Sequence, residues 1–162
     1  MAWRDQGDLP WQADRPLTLE NAAAIINARF PSVDTSRLEH IGYGWEFDAI
    51  LTADRWLFRF PRRDDWSNRF EMERELVKVV ERVLPAHMTV TRVELIGPPT
   101  LDFPYPFAGH RFIEGVAADA VSEHLLPTVA REIATFLGAL HSIPASRCRD
   151  IGLAEVDAQH EE

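Results

Sequence analysis

The chain has 162 residues, is 46% hydrophobic and carries a net charge of −9 at pH 7. That length fits one ordinary domain, or a small lobe with an added helical piece, and the apolar content can build a core. The acidic balance, with no Lys/Arg stripe, disfavours a nucleic-acid role driven by phosphate contacts. No apolar run approaches the ~18 residues of a membrane span, and the start Met1-Ala-Trp-Arg-Asp lacks the apolar centre of a signal peptide. The single Cys148 has no intramolecular disulfide partner, which fits a reducing cytoplasm. An acidic surface can draw in a cationic substrate, but solubility is the plainer account.

In chain order, residues 1–17 read as an irregular arm with Pro10 and Pro16, docked by Trp3 and Trp11. A helix follows from Thr18, a good N-cap, to Phe30, where Pro31 stops it; Ala22, Ile25 and Ile26 form its apolar face. Three strand-like segments come next: 37–43 into the Gly42-Tyr43-Gly44 turn, 45–52 into Ala53-Asp54, and 55–60. In the third, Trp56, Phe58 and Phe60 share one face, Leu57 and Arg59 the other. A long helix is expected over 66–84, stopped by Pro85. Two further strands are expected at 89–96, ending at Gly97-Pro98-Pro99, and at 108–113. The chain then turns helical from about Ser122, with Pro127 in the first turn and the stripe Val129, Ile133, Phe136, Leu137 and Leu140 running toward His141. Five antiparallel-type strands interrupted by one helix make an α+β lobe and argue against a Rossmann sheet.

Two features carry chemistry. On the 66–84 helix, Leu76, Val77, Val80 and Leu84 form one stripe, and Glu73 lies on it, ~20° from Val80. A carboxylate aimed at the core needs a cation, because unpaired burial costs several kcal/mol. Arg59 is the natural partner; a purely structural ion pair, or Glu73 at a solvated helix edge, satisfies the same spacing. The second feature is the hairpin Ile41-Gly-Tyr-Gly-Trp-Glu-Phe-Asp-Ala49. Two glycines there let backbone N–H groups approach phosphate oxygens, although most such pairs are simple turns, and the P-loop pattern is missing. The histidines show no spacing with Cys or Asp that suggests zinc.

A Gly-containing hairpin, a cation on the next strand and a helix with an inward Glu follow one another in protein-kinase-like order. In detail the chain resembles the aminoglycoside/macrolide phosphotransferase family of small-molecule kinases. The stretches that carry the resemblance are Ile41-Gly-Tyr-Gly-Trp-Glu-Phe, Trp56-Leu-Phe-Arg-Phe-Pro-Arg-Arg, Glu73-Arg-Glu-Leu-Val-Lys-Val-Val, Phe112-Ile-Glu-Gly and Leu137-Gly-Ala-Leu-His-Ser-Ile-Pro. Their order and spacing resemble that family over about residues 18–153, covering its N-terminal lobe, its hinge and the first helices of its C-terminal lobe. The resemblance implies a five-stranded antiparallel lobe over 18–115 and a short helical segment over 116–162. It also implies ATP or GTP as cofactor, with Mg²⁺ in the complete enzyme. Gly42 and Gly44 would cover the phosphates and Arg59 would hold them, fixed by Glu73. Ala49 and Leu57 would roof the purine, and backbone groups of Phe112, Ile113 and Glu114 would pair with its edge.

This sequence departs from that pattern in three ways. Phe47 stands where the family has a third glycine, and Arg59 where it usually has Lys, a planar fork in place of a point charge. The His-Gly-Asp catalytic loop and the metal-binding Asn and Asp that follow it are absent from 116–162; Asp150-Ile151-Gly152 is too close to His141 to serve. The expectation is therefore the nucleotide-binding lobe of an ATP-dependent small-molecule phosphotransferase, inactive by itself. The alternative is a non-catalytic binding module that kept only this lobe. Expected partners are a nucleotide and either a second copy or a C-terminal lobe, with no nucleic acid and no membrane.

Overall fold

A computed structural model of the chain describes residues 13–43, 46–63, 69–117 and 120–153. The expected docking of Trp3 and Trp11, and the role given to Gly44, fall outside these residues. The elements are α1 (Leu19–Arg29), β1 (Leu38–Tyr43), β2 (Phe47–Thr52), β3 (Trp56–Pro61), α2 (Phe70–Glu81), β4 (Leu95–Gly97), β5 (Phe107–Arg111), a single 3₁₀ turn (Glu123–Leu125), α3 (Leu126–His141) and α4 (Ala145–Asp150). The strands form one antiparallel sheet in the order β1-β2-β3-β5-β4. The chain divides into two compact units, one holding α1 and the sheet, the other holding α2 from Glu71 onward together with α3 and α4.

In the first unit, α1 starts where Thr18 Oγ1 accepts the Asn21 N–H at 3.1 Å, satisfying one orphan donor of the first turn. The helix lays Ala22, Ile25 and Ile26 against one face of the sheet. That face carries Ile50, Phe58 and Phe60, joined by Phe103 and Phe107. Phe60 and Phe107 stack at 4.9 Å and 11°, Phe103 meets Phe60 edge-on at 5.3 Å, and Phe30 closes on Phe58 at 5.9 Å. Each such ring contributes ~1.5–3 kcal/mol by burial, and the pairs add ~0.5–1.5 kcal/mol each. Two glycines make room for these rings: a Cβ at Gly97 would sit 2.2 Å from the Phe107 ring, and one at Gly109 would sit 2.7 Å from Phe58.

β2 and β3 are joined by a tight turn in which Arg55 N–H donates to the Thr52 carbonyl at 3.1 Å. Thr52 Oγ1 donates to Asp54 Oδ1 at 2.7 Å and accepts the Trp56 N–H at 3.0 Å. Arg55 closes the turn at φ 67°, in the left-handed region where hairpins of this kind normally place glycine. An L-residue there costs ~1–2 kcal/mol.

Three elements differ from the sequence expectation. The strand expected over 89–96 shrinks to Leu95–Gly97, because β4 is a sheet edge paired only to β5 and its ladder extends back no further than Glu94 N–H to the Gly109 carbonyl. α2 ends at Glu81, short of Pro85, with Val83 and Leu84 N–H turning back to the Val80 carbonyl. β5 runs Phe107–Arg111, ending two residues before the expected 113.

In the second unit, α2 bears the i,i+3 pairs Glu71–Arg74 at 3.1 Å and Glu75–Lys78 at 2.5 Å. His87 Nε2 lies 2.9 Å from Glu132 on α3, and Arg92 pairs with Glu81. No residue of α3 is fully buried: of the apolar stripe read from the sequence, Ile133 is 49% and Leu137 44% exposed, while Val129, Phe136 and Leu140 are half-buried. Among the described residues no helix is long and apolar enough to cross a membrane.

Candidate functional site

The sheet face opposite α1 holds three of the residues singled out by sequence, Ala49, Leu57 and Arg59. Strand pairing sets Ala49 across from Arg59, and Arg59 across from Ala108. The next row is Leu51, Leu57 and His110. The alternation read in β3 is thus the one that forms: Trp56, Phe58 and Phe60 in the core, Leu57 and Arg59 on the other side. Gly42 sits in β1 at a register irregularity between His40 and Gly42. A Cβ at that position would meet nothing within 4 Å, so packing does not demand glycine there.

The geometry around Arg59 was not foreseen. Its guanidinium carbon lies 5.4 Å from the Phe47 ring centroid and 5.4 Å from that of Phe70. The two rings touch each other at 5.7 Å, tilted by 41°, and make a corner on which the cation rests. Phe70, Val93 and Ala108 are buried beside it, with Phe47 and Ile96 packed against them. A flat, weakly hydrated guanidinium suits such a seat better than an ammonium does. Phe47 and Arg59, the two side chains that depart from the family pattern, are in contact. The pairing was invisible in sequence because it needs the β2–β3 register, which sets Ala49 opposite Arg59 and so Phe47 diagonal to it.

A second polar cluster holds the root of the hairpin from the core side. Asp48 is only 6% exposed and lies 3.1 Å from Arg62 Nη1 and 3.4 Å from His40 Nε2. Arg62 N–H also donates to the Glu46 carbonyl at 2.8 Å. Both arms of the hairpin are thereby tied to the end of β3. Asp48 carried a signal, a charged residue at a core-facing strand position.

After β5 the Phe112 N–H donates to the Arg55 carbonyl at 2.9 Å, which leaves the Phe112 carbonyl as its backbone group for any ligand edge. His110, buried on the site face, has Nδ1 3.0 Å from the Arg111 carbonyl. An open cavity of 210 Å³ lies at the same end of the sheet, lined by Arg37, Glu39, Leu51, Thr52, Ala53 and Arg55. None of the residues singled out by sequence lines it. The first unit therefore contains Gly42, Ala49, Leu57, Arg59 and Phe112, while Glu73, Ile113 and Glu114 belong to the second.

The site face can offer a fixed cation, small apolar side chains at Ala49 and Leu57 for a flat ring, and an open glycine backbone. Those features fit a nucleotide. Among the described residues no three His, Cys, Asp or Glu side chains converge on an ion position.

The model of the phosphotransferase enzyme family matches residues 37–162. Comparison with curated proteins gives no match. Among solved structures, the chain is similar to the GDP complex of wild-type aminoglycoside 2'-phosphotransferase-IIIa, with a TM-score of 0.76 and 20% identity over 87% of this chain and 48% of that one. It is similar to the GDP and kanamycin complex of APH(2")-IIIa, with a TM-score of 0.71 and 21% identity over 83% and 46%. It is also similar to the streptomycin-ATP-APH(2")-IIa ternary complex, with a TM-score of 0.55 and 22% identity over 80% and 42%. At these identities the likeness shows the fold, a kinase-like five-stranded lobe followed by helices. The chain spans less than half the length of these structures.

Proposed function

The chain belongs to the phosphotransferase enzyme family, and from that premise we propose that it is the nucleotide-binding lobe of a small-molecule kinase, acting in the cytoplasm. The observation that carries this reading is the site face itself: Arg59 held on the Phe47–Phe70 corner, in line with Ala49 and Leu57 on one side of an antiparallel sheet. A purine lies under Ala49 and Leu57. The fork of Arg59 takes phosphate oxygens in bidentate fashion, and the hairpin around Gly42 closes from above. Glu73 is assigned to Arg59 from sequence order, and Ile113 and Glu114 to the purine edge on the same ground. Solved relatives carry GDP or ATP, so either purine class is a fit ligand for this lobe.

In the complete reaction, ATP or GTP gives its γ-phosphoryl group to a hydroxyl of a small molecule. Catalysis of that kind is positioning plus charge stabilisation. On this reading the described residues serve the nucleotide, and no group of three metal-ligating side chains is found among them. Residues 1–162 alone should therefore bind nucleotide without transferring phosphate.

Isothermal titration of the chain with ATP and with GDP tests this. Binding that weakens about tenfold or more in Arg59→Ala, from loss of charge-assisted phosphate contacts, is the expected result. Absence of binding to both nucleotides, or phosphorylation of an acceptor by residues 1–162 alone, would overturn the reading. A double-mutant cycle between Arg59 and Glu73 tests the assignment of that pair.

A further inference from the structure

We propose that Arg55, in the β2–β3 turn, is a positioning residue for the purine-binding backbone after β5. The inference rests on the nucleotide reading above and adds a residue that neither the motifs nor the family pattern singled out. Its starting point is the left-handed backbone: φ is 67° at a position where glycine relieves the strain at no loss to the turn. At that position the Arg55 side chain makes contacts that a glycine could not.

Arg55 touches the exit of β5 twice. Its carbonyl accepts the Phe112 N–H at 2.9 Å, and its guanidinium carbon lies 4.4 Å over the Phe112 ring centroid. A neighbouring pair reinforces the junction, since Arg111 Nη1 donates to the Asp54 carbonyl at 3.1 Å and the Arg111 guanidinium carbon lies 3.8 Å from the Trp56 ring centroid. The turn is thus bonded to Arg111 and Phe112, where the chain leaves the sheet. The backbone bond also occupies the Phe112 N–H and so decides which of that residue's backbone groups a purine can meet, its carbonyl. The cation–π contact fixes the ring, and with it the orientation of that carbonyl. A hydrogen-bonded purine edge tolerates little misplacement, so losing this brace loses affinity.

Arg55→Gly separates positioning from simple folding. Glycine suits the left-handed backbone, so a purely structural role predicts an unchanged or higher melting temperature and unchanged binding. Positioning predicts that the melting temperature holds or rises while ATP and GDP bind about tenfold more weakly. It also predicts that the Phe112 amide exchanges with solvent faster. Arg55→Lys keeps the charge and the strain but lacks the planar group, and should recover only part of the affinity. Should the glycine variant fail to fold, Arg55→Asn, which also tolerates this backbone, gives the same comparison. Equal binding by wild type and Arg55→Gly overturns the proposal and leaves the nucleotide reading standing, as does a loss of affinity that only tracks a loss of stability. A wild-type chain that binds neither nucleotide overturns the nucleotide reading, and the role of Arg55 at that site with it.

Discussion

Arg59 shows how one residue's chemistry depends on neighbours that sequence spacing cannot reveal. On the aromatic corner of Phe47 and Phe70, each ring contact is worth ~0.5–2 kcal/mol depending on desolvation. Phe47 for glycine and Arg59 for lysine then form one linked substitution. Restoring either family residue alone, by Phe47→Gly or Arg59→Lys, should weaken nucleotide binding, whereas the double variant should lose less than the sum. A coupling of about 1 kcal/mol in a double-mutant cycle on ATP affinity is expected; strict additivity would show that the two side chains act independently. Asp34 offers a simpler residue-level test. The Ser36 side chain, and then its backbone N–H, hold the exposed Asp34 carboxyl below the usual carboxylate range. Because the folded value is the lowered one, its small stabilisation is present above the unfolded carboxylate range and is lost as pH falls through the folded value. An NMR titration that gave Asp34 an ordinary carboxylate midpoint would contradict this.

At the scale of elements, α1, β1, β2 and β3 were legible to within two residues at their ends. Each carries a local reason for its bounds: Thr18 at one end of α1 and Phe30 before Pro31 at the other, the strict alternation of 56–60, and the turn at Ala53-Asp54. β4 was overread because Thr89–Arg92 alternate like a strand but have no ladder on the outer edge of the sheet. Gly97 was read as the end of a strand. Its reason is tertiary, because the Phe107 ring occupies the space its Cβ would need. Gly97→Ala should therefore displace a ring stacked in the core and cost about 2 kcal/mol, seen as a lowered denaturant midpoint at constant slope. An unperturbed midpoint would mean that the ring moves freely. Asp48 is the other core commitment of the hairpin. Asp48→Ala leaves the Arg62 and His40 side chains, both mostly buried, without that carboxylate, and should cost about 3 kcal/mol. It should also loosen the hairpin, read as faster amide exchange in β1 and β2.

For the molecule as a whole, the two units are unequal in what they bury. The sheet unit closes a core of stacked phenylalanines, while α3 in the other unit keeps every residue at least partly accessible. Leu126, Ile133 and Leu137 are each more than 40% exposed on that helix. Soluble chains seldom leave a contiguous apolar surface beyond a few hundred Å² uncovered. A second copy can cover such a face by presenting the same face in return, since a two-fold pair needs only a self-complementary patch. We expect residues 1–162 to self-associate through α3, with the weight-average mass in light scattering rising from one chain toward two across the micromolar range. Ile133→Glu with Leu137→Glu should return the chain to a monomer, because two carboxylates facing their symmetry mates would be desolvated without partners. These changes lie on an exposed helix face and should leave the sheet and its melting temperature unaltered, so a lost dimer cannot be confused with a lost fold. A wild-type chain that stays monomeric and soluble well above this range would show that the α3 face is tolerated in water, and that no second copy is needed to cover it.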